Sequence, residues 1–283
     1  MALKPLSLSA SRVLSFDRPL VMGVLNVTPD SFSDGGAYLS QEQAVTHALR
    51  MISEGADIID VGGESSRPGA APVSAEEELA RTVPIISGLR RVTSVPISID
   101  TTKSAVASEA LRAGADLIND ISALRFDPSM ATLVAQSGAP VVLMHMQGTP
   151  RDMQQDPHYD DCVAEICRFF EERIEFCRAA GISEDRLILD PGIGFGKRVK
   201  DNLDILGRLA EFTRFGRPLL VGASRKSFIA GVHTASGIPA ERVGGSLAAA
   251  LVAVMHGANI VRVHDVAATV EALRLLQAIQ GVR

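Results

Sequence analysis

Eight short apolar runs, each followed by a polar or glycine-rich turn and then by a helix-spaced pattern, organise this chain of 283 residues. The runs lie near 20–27, 57–61, 96–100, 116–120, 140–144, 187–190, 218–222 and 260–263, and the helical patterns near 41–54, 75–91, 103–113, 127–137, 159–180, 200–211, 239–256 and 266–280. Strand-then-helix alternation implies parallel strands joined by right-handed crossovers, and eight units are the number that closes a barrel. An open doubly wound sheet is the other solution, but it usually has only about five or six strands. The expected fold is therefore α/β, a single-domain (β/α)8 TIM barrel over 19–283, with residues 1–18 as an extension that caps its bottom. Most of the runs are rich in Val, Ile and Leu without clean alternation, as strands buried on both faces are.

A parallel barrel gathers the carboxyl ends of all its strands at one mouth. The turns there would bring together Asn26, Asp60, Asp100, Asn119, His145, Asp190, Lys226 and His264. Carboxylates and an amide from Asp100, Asn119, Asp120 and Asp190 could hydrogen-bond a flat, nitrogen-rich heterocycle, although any one Asp could instead cap the helix after it. The seventh and eighth turns, Gly222-Ala-Ser-Arg-Lys-Ser227 and Arg262-Val-His264, place basic groups where barrels often bind phosphate. His145 between two methionines reads more simply as a packed rim residue than as a base.

Gly192-Ile-Gly-Phe-Gly-Lys197 looks like a phosphate-cradling loop but has neither Walker A nor dinucleotide spacing. A glycine-lined approach to a planar ligand, with Phe195 as its wall, fits better. Two connections exceed what a barrel needs: residues 28–40 and 62–74, both rich in Gly, Ser, Pro and Asp and carrying Asp34 and Arg67. They are expected to be mobile lids. Ser40 with Gln43, and Ser74 with Glu77, fit capping boxes at the starts of the first two helices.

Charge and composition narrow the partners. The net charge of −5 is scattered, with no long basic block, which argues against nucleic acid or an anionic membrane. Leu247–Met255, the longest apolar run, is far shorter than the roughly 20 residues of a membrane span. Residues 1–15 lack a secretory pattern, so a cytoplasmic location is expected. Cys162, Cys167 and Cys177 match neither a zinc site nor a disulfide framework and are expected to be reduced. No His, Cys and carboxylate cluster has transition-metal spacing, and no Gly-x-Ser-x-Gly elbow occurs. A magnesium ion held mainly by substrate phosphates, with Asn26 as a protein oxygen, would suit hard-cation chemistry.

Met22-Gly-Val-Leu-Asn-Val-Thr-Pro-Asp-Ser-Phe-Ser-Asp34, Asp60-Val-Gly-Gly-Glu-Ser-Ser-Arg-Pro-Gly69, Asp190-Pro-Gly-Ile-Gly-Phe-Gly-Lys197, Ser224-Arg-Lys-Ser227 and Arg262-Val-His264 together resemble the bacterial dihydropteroate synthases. The resemblance runs from about residue 20 to the C-terminus. It implies condensation of 6-hydroxymethyl-7,8-dihydropterin diphosphate with 4-aminobenzoate, giving 7,8-dihydropteroate and pyrophosphate by a magnesium-assisted dissociative substitution in folate synthesis. By the same resemblance Asp100, Asn119, Asp190, Gly222 and Lys226 bind pterin, and Asn26, Ser66, Arg67, Arg262 and His264 hold the diphosphate. Phe32, Pro68, Phe195 and Ser227, with Ser66 and Arg67 nearby, would flank the aminobenzoate. Asp100, Lys226, Arg262, His264 and Asn26 are the implied catalytic set, Asn26 is also the implied Mg2+ ligand, sulfonamides are implied inhibitors, and a homodimer is implied through late helices such as Leu247–Met255. Ser66 departs from the family's more usual Thr. A methyltetrahydrofolate-binding methyltransferase shares the pterin-holding barrel but leaves the anion cluster unexplained, and a non-catalytic pterin-binding paralogue would show degenerate loops.

Overall fold

The computed structural model describes residues 3–8, 12–27, 36–232 and 238–281, with the side chains of 36–40 set aside. A short antiparallel hairpin, β1 (Leu6–Ser7) and β2 (Val13–Leu14), precedes eight parallel strands. These are β3 (Leu20–Asn26), β4 (Ile58–Gly62), β5 (Ile97–Asp100), β6 (Leu117–Asp120), β7 (Val141–Met144), β8 (Leu187–Asp190), β9 (Leu220–Val221) and β10 (Ile260–Val263). They pair in the order β8-β7-β6-β5-β4-β3-β10-β9, and a parallel bridge from Leu189 to Leu219 joins the two ends. The barrel is thereby nearly closed, and the open-sheet alternative is set aside.

Side chains alternate along a strand, so every second residue points into the barrel. The inward positions carry Met22, Ile58, Leu117, Val142, Ile188, Leu220 and Ile260 in the lower layer, where they form one buried cluster with Leu6, Leu8 and Leu14 of the hairpin segment. Burying each such leucine is worth roughly 1.5–3 kcal/mol relative to exposing it, which fixes the extension against the barrel floor. Two residues further along, the positions on β4, β6, β8 and β10 and just past β9 become polar or glycine, Asp60, Asn119, Asp190, Arg262 and Gly222, while β3 and β7 keep Val24 and Met144. The alternate, outward residues, among them Val21, Ile59, Ile99, Ile118, Leu143, Leu189 and Val261, pack in a second cluster beneath the helices. Both faces are therefore apolar below the mouth, which is why the strands read as continuous hydrophobic runs.

The helices are α1 (Gly36–Ser53), α2 (Ala75–Val92), α3 (Ser104–Ala113), α4 (Met130–Ser137), α5 (Cys162–Ala179), α6 (Val199–Gly207), α7 (Ser227–Val232), α8 (Val243–Met255) and α9 (Val266–Gly281). Ser74 caps α2 as expected, its side chain accepting from the Glu77 N–H at 3.2 Å. Ser40 does not start a helix: α1 already begins at Gly36, so Ser40 sits in its second turn. The helical pattern at 239–256 divides into a 3-10 turn at Pro239–Arg242 and α8, and the pattern at 200–211 ends in a 3-10 stretch, Leu209–Phe215. Helix α7 is an additional short element. The three cysteines are free and buried in α5.

Candidate active site

Strand register sets the first row of the site. Asn26 is level with Gly62, Gly62 with Asp100, and Asp100 with Asn119. Gly62 leaves room between its neighbours: a Cβ there would stand 3.7 Å from both Asn26 Oδ1 and Asp100 Oδ2. These are hard oxygen donors of the type magnesium prefers. Among the described residues no group of three or more His, Cys, Asp or Glu could hold a metal ion.

Arg262 crosses the barrel from β10 and is held by two acids. Its Nε donates to Asp60 Oδ2 at 2.6 Å, and its NH2 donates to Asp100 Oδ2 at 2.7 Å. Asp60 is fully buried and its Oδ2 also accepts from Asn119 Nδ2 at 3.1 Å. One carboxylate thus orients both an arginine and an asparagine, a role the sequence motifs do not assign to it. Burial works against the Arg262 charge, but Asp60 and Asp100 outweigh it and hold its pKa above the usual arginine range. Burial raises Asp100 to about 7, opposed by Arg262 and reinforced by Asp60.

Asp190 closes β8 and is buried, its Oδ1 accepting from the Gly192 N–H at 2.7 Å. Burial raises its pKa, while the Gly192 hydrogen bond and Lys226 pull it down. Lys226 donates to the Ile193 carbonyl and lies over the Phe195 ring, 4.1 Å from its centroid. Desolvation lowers its pKa to about 7, against the attraction of Asp190. Burial thus shifts two groups of opposite charge in opposite directions, Asp190 up and Lys226 down, as is common at functional sites. Phe195 is buried with Ile121, Met144, Met146 and Met153.

His264 is fixed by Ser224, whose Oγ accepts from the His264 N–H at 3.2 Å and lies 3.1 Å from its Nδ1. Burial, followed by Arg262 and Arg225, lowers its pKa to about 4, so the imidazole is neutral at pH 7. Arg67 adds to that depression across the mouth. The turn that carries Lys226 is locked from behind: Arg225, at φ 59°, grips Asp265 through Nε at 3.0 Å and NH2 at 2.5 Å. In the connection after β4, Gly69 N–H donates to the Pro150 carbonyl at 3.2 Å, and Lys103 bridges Glu64 and Glu78 at its base. Ser66 is half-buried there, while Arg67, Pro68 and, at the start of α7, Ser227 are exposed.

Two expectations change and one holds. Gly192 and Gly196 are required by the packing of one turn on the next: a Cβ on Gly192 would stand 1.9 Å from the His145 carbonyl oxygen and one on Gly196 2.4 Å from that of Gln147, both at positive φ. Asp120 caps no helix but holds the turn after β6, accepting from Ser122 N and Oγ, each at 2.7 Å, and from Leu124 N at 2.9 Å. His145 is the packed residue its setting between two methionines suggests, with its ring edge-on to Phe169 at 4.9 Å. Phe32, Asp34 and the rest of 28–35 lie outside the described residues.

A barrel whose mouth combines buried carboxylates, an amide and a basic anion cluster defines a pterin-binding enzyme, and residues 22–264 match the pterin binding enzyme family model. Within that class the chain belongs to the dihydropteroate synthases. It is 53% identical over 265 residues to the dihydropteroate synthase of Escherichia coli K12, covering 94% of this chain and 93% of that one. The Yersinia pestis dihydropteroate synthase, solved with a sulfonamide drug, superposes with a TM-score of 0.92 at 50% identity, covering 98% of this chain and all of its own. The Xanthomonas albilineans enzyme, solved with 7,8-dihydropteroate, gives 0.89 at 48% identity, covering 99% and 100%.

Proposed function

We propose that this dihydropteroate synthase joins the methylene carbon of 6-hydroxymethyl-7,8-dihydropterin diphosphate to the amine of 4-aminobenzoate, releasing pyrophosphate. The observation that carries the assignment of roles is the Asp60–Arg262–Asp100 clamp. It commits two of the five guanidinium N–H donors to carboxylates and leaves three for an anion. Asp190, an acceptor-only carboxylate, would take the amino and ring N–H of the pterin edge, with Asn119 and Asp100 beside it and Gly222 letting the ring lie close. Lys226 would donate to the ring from above Phe195.

Arg262, Arg67, Ser66, Asn26 and His264 would surround the diphosphate. With Ser224 facing Nδ1, a neutral His264 presents Nε2–H as a donor. Asn26 would hold Mg2+, which when bound supplies charge neutralisation to the departing pyrophosphate. Donors pre-aimed at the leaving oxygens favour C–O cleavage ahead of amine attack, and Asp100 would stabilise the cationic carbon. Pro68, Phe195, Ser227 and Phe32 would frame the aminobenzoate, the site at which sulfonamides would compete, and the long connections after β3 and β4 would close over it.

No described helix is long and apolar enough to cross a membrane, and we place the enzyme in the cytoplasm. Exposed apolar side chains on neighbouring helices, Leu203 of α6, Val252 and Met255 of α8 and Leu275 of α9, support a homodimer through this face. Purified protein given both substrates and magnesium should release pyrophosphate only when aminobenzoate is present. Asp190→Asn should weaken pterin binding strongly, and unchanged pterin affinity would remove Asp190 from its role.

A further inference from the structure

Lys197 is a buried cation that the reaction does not use. It is 3% exposed, and lysines are almost never so buried unless paired. Its ammonium has three donors, and the structure gives three acceptors: His145 Nδ1 at 3.0 Å, the His145 carbonyl at 3.3 Å and the Phe195 carbonyl at 3.0 Å. None is a carboxylate. A charge placed at the cost of its hydration, and satisfied wholly by neutral acceptors, holds geometry instead of balancing charge.

The acceptors belong to two adjacent turns. His145 follows β7, and Phe195 lies in the turn after β8. Those turns also touch through Gly192 and Gly196, where no side chain would fit. The Phe195 ring in turn lies under the Lys226 ammonium, and Lys226 is tied to the Ile193 carbonyl of the same turn. Displacing the Phe195 backbone would therefore shift the aromatic wall, while Lys226 keeps its own tie to Ile193. Nδ1 of His145 must accept from the ammonium, which puts the imidazole proton on Nε2 and keeps the ring neutral. Desolvation, with Lys197 and Arg125 nearby, lowers the His145 pKa well below its ordinary value.

We propose that Lys197 is a positioning residue that clasps the turns after β7 and β8 together and so sets the height of Phe195 in the aminobenzoate pocket. The inference rests on Phe195 flanking that substrate. It separates Lys197 from the groups that bind the pterin, because Asp190 is tied to the Gly192 N–H and Lys226 to the Ile193 carbonyl, both earlier in that turn than the Phe195 carbonyl that Lys197 holds.

Lys197→Met keeps the stem and removes every donor. Steady-state kinetics should show the KM for 4-aminobenzoate rising about tenfold or more, with the KM for the pterin diphosphate within about twofold. His145→Asn keeps an acceptor near the Nδ1 position and should hold the aminobenzoate KM near the parent value, whereas His145→Leu should raise it. If Lys197→Met does not fold, the contrast between the two His145 variants decides alone. Equal loss in both KM values and kcat, or no change in either KM, would overturn the proposal. Absence of dihydropteroate from the parent enzyme would instead remove the functional reading on which it rests.

Discussion

Asp60→Asn isolates the clamp that orients Arg262. The substitution preserves shape in a fully buried position, keeps one oxygen acceptor and removes the charge opposite the guanidinium. Hydrogen bonds to charged groups contribute about 1.5–3 kcal/mol, and leaving a buried ion wholly uncompensated costs about 3–5 kcal/mol. Asp100 still faces Arg262 at 2.7 Å, so the loss belongs at the lower end. About 2–3 kcal/mol of lost positioning corresponds to a fall of roughly 30- to 150-fold in kcat/KM for the pterin diphosphate. The assay is initial-rate release of pyrophosphate at saturating aminobenzoate, with thermal melting as a control for folding. Combined with Asp100→Asn, the loss should be non-additive, because both acids hold one guanidinium. A folded Asp60→Asn enzyme within threefold of the parent would refute the reasoning.

Other substitutions probe other parts of the structure. Gly192→Ala would place a Cβ 1.9 Å from a backbone oxygen at φ 69°, and is expected to lose more than about 4 kcal/mol of stability, measured by urea denaturation or by loss of soluble protein. His264, lowered to about 4 from 6.5, binds fewer protons folded than unfolded across that interval, so stability should be complete above pH 6.5 and fall as pH drops towards 4. Its share is roughly 3 to 4 kcal/mol, and His264→Gln should flatten the dependence of melting temperature on pH in that window. Ser66→Thr adds a methyl and keeps the hydroxyl; turnover should stay within about threefold while sulfonamide inhibition shifts, and a collapse of turnover would contradict a packing role.

Much of the barrel was legible because its signal is local. Each strand announces itself as a short apolar run, and period-two alternation from Ile58, Leu117, Ile188 and Ile260 points to Asp60, Asn119, Asp190 and Arg262 as the inward residues above the floor. The hairpin at residues 6–14 was not legible as strands, since two-residue pairings leave no periodicity. Ser40 misled because a serine followed by a glutamine three residues later also occurs within a helix. Asp60 stood among the strand-end residues, but its partnership with Arg262 spans 202 positions and exists only once the barrel closes. Lys197 was visible as the end of the glycine-rich turn, but its clasp was not: its acceptors are a ring nitrogen and two carbonyls, which no motif encodes. The glycines around it were visible, but whether they admit a ligand or another turn is decided by tertiary contact.

The most direct test of the central claim is to supply purified protein with the pterin diphosphate and magnesium, with and without 4-aminobenzoate, and to follow dihydropteroate by chromatography alongside pyrophosphate. The expected result is stoichiometric dihydropteroate and pyrophosphate that depend on aminobenzoate. Tight pterin binding without product would contradict it.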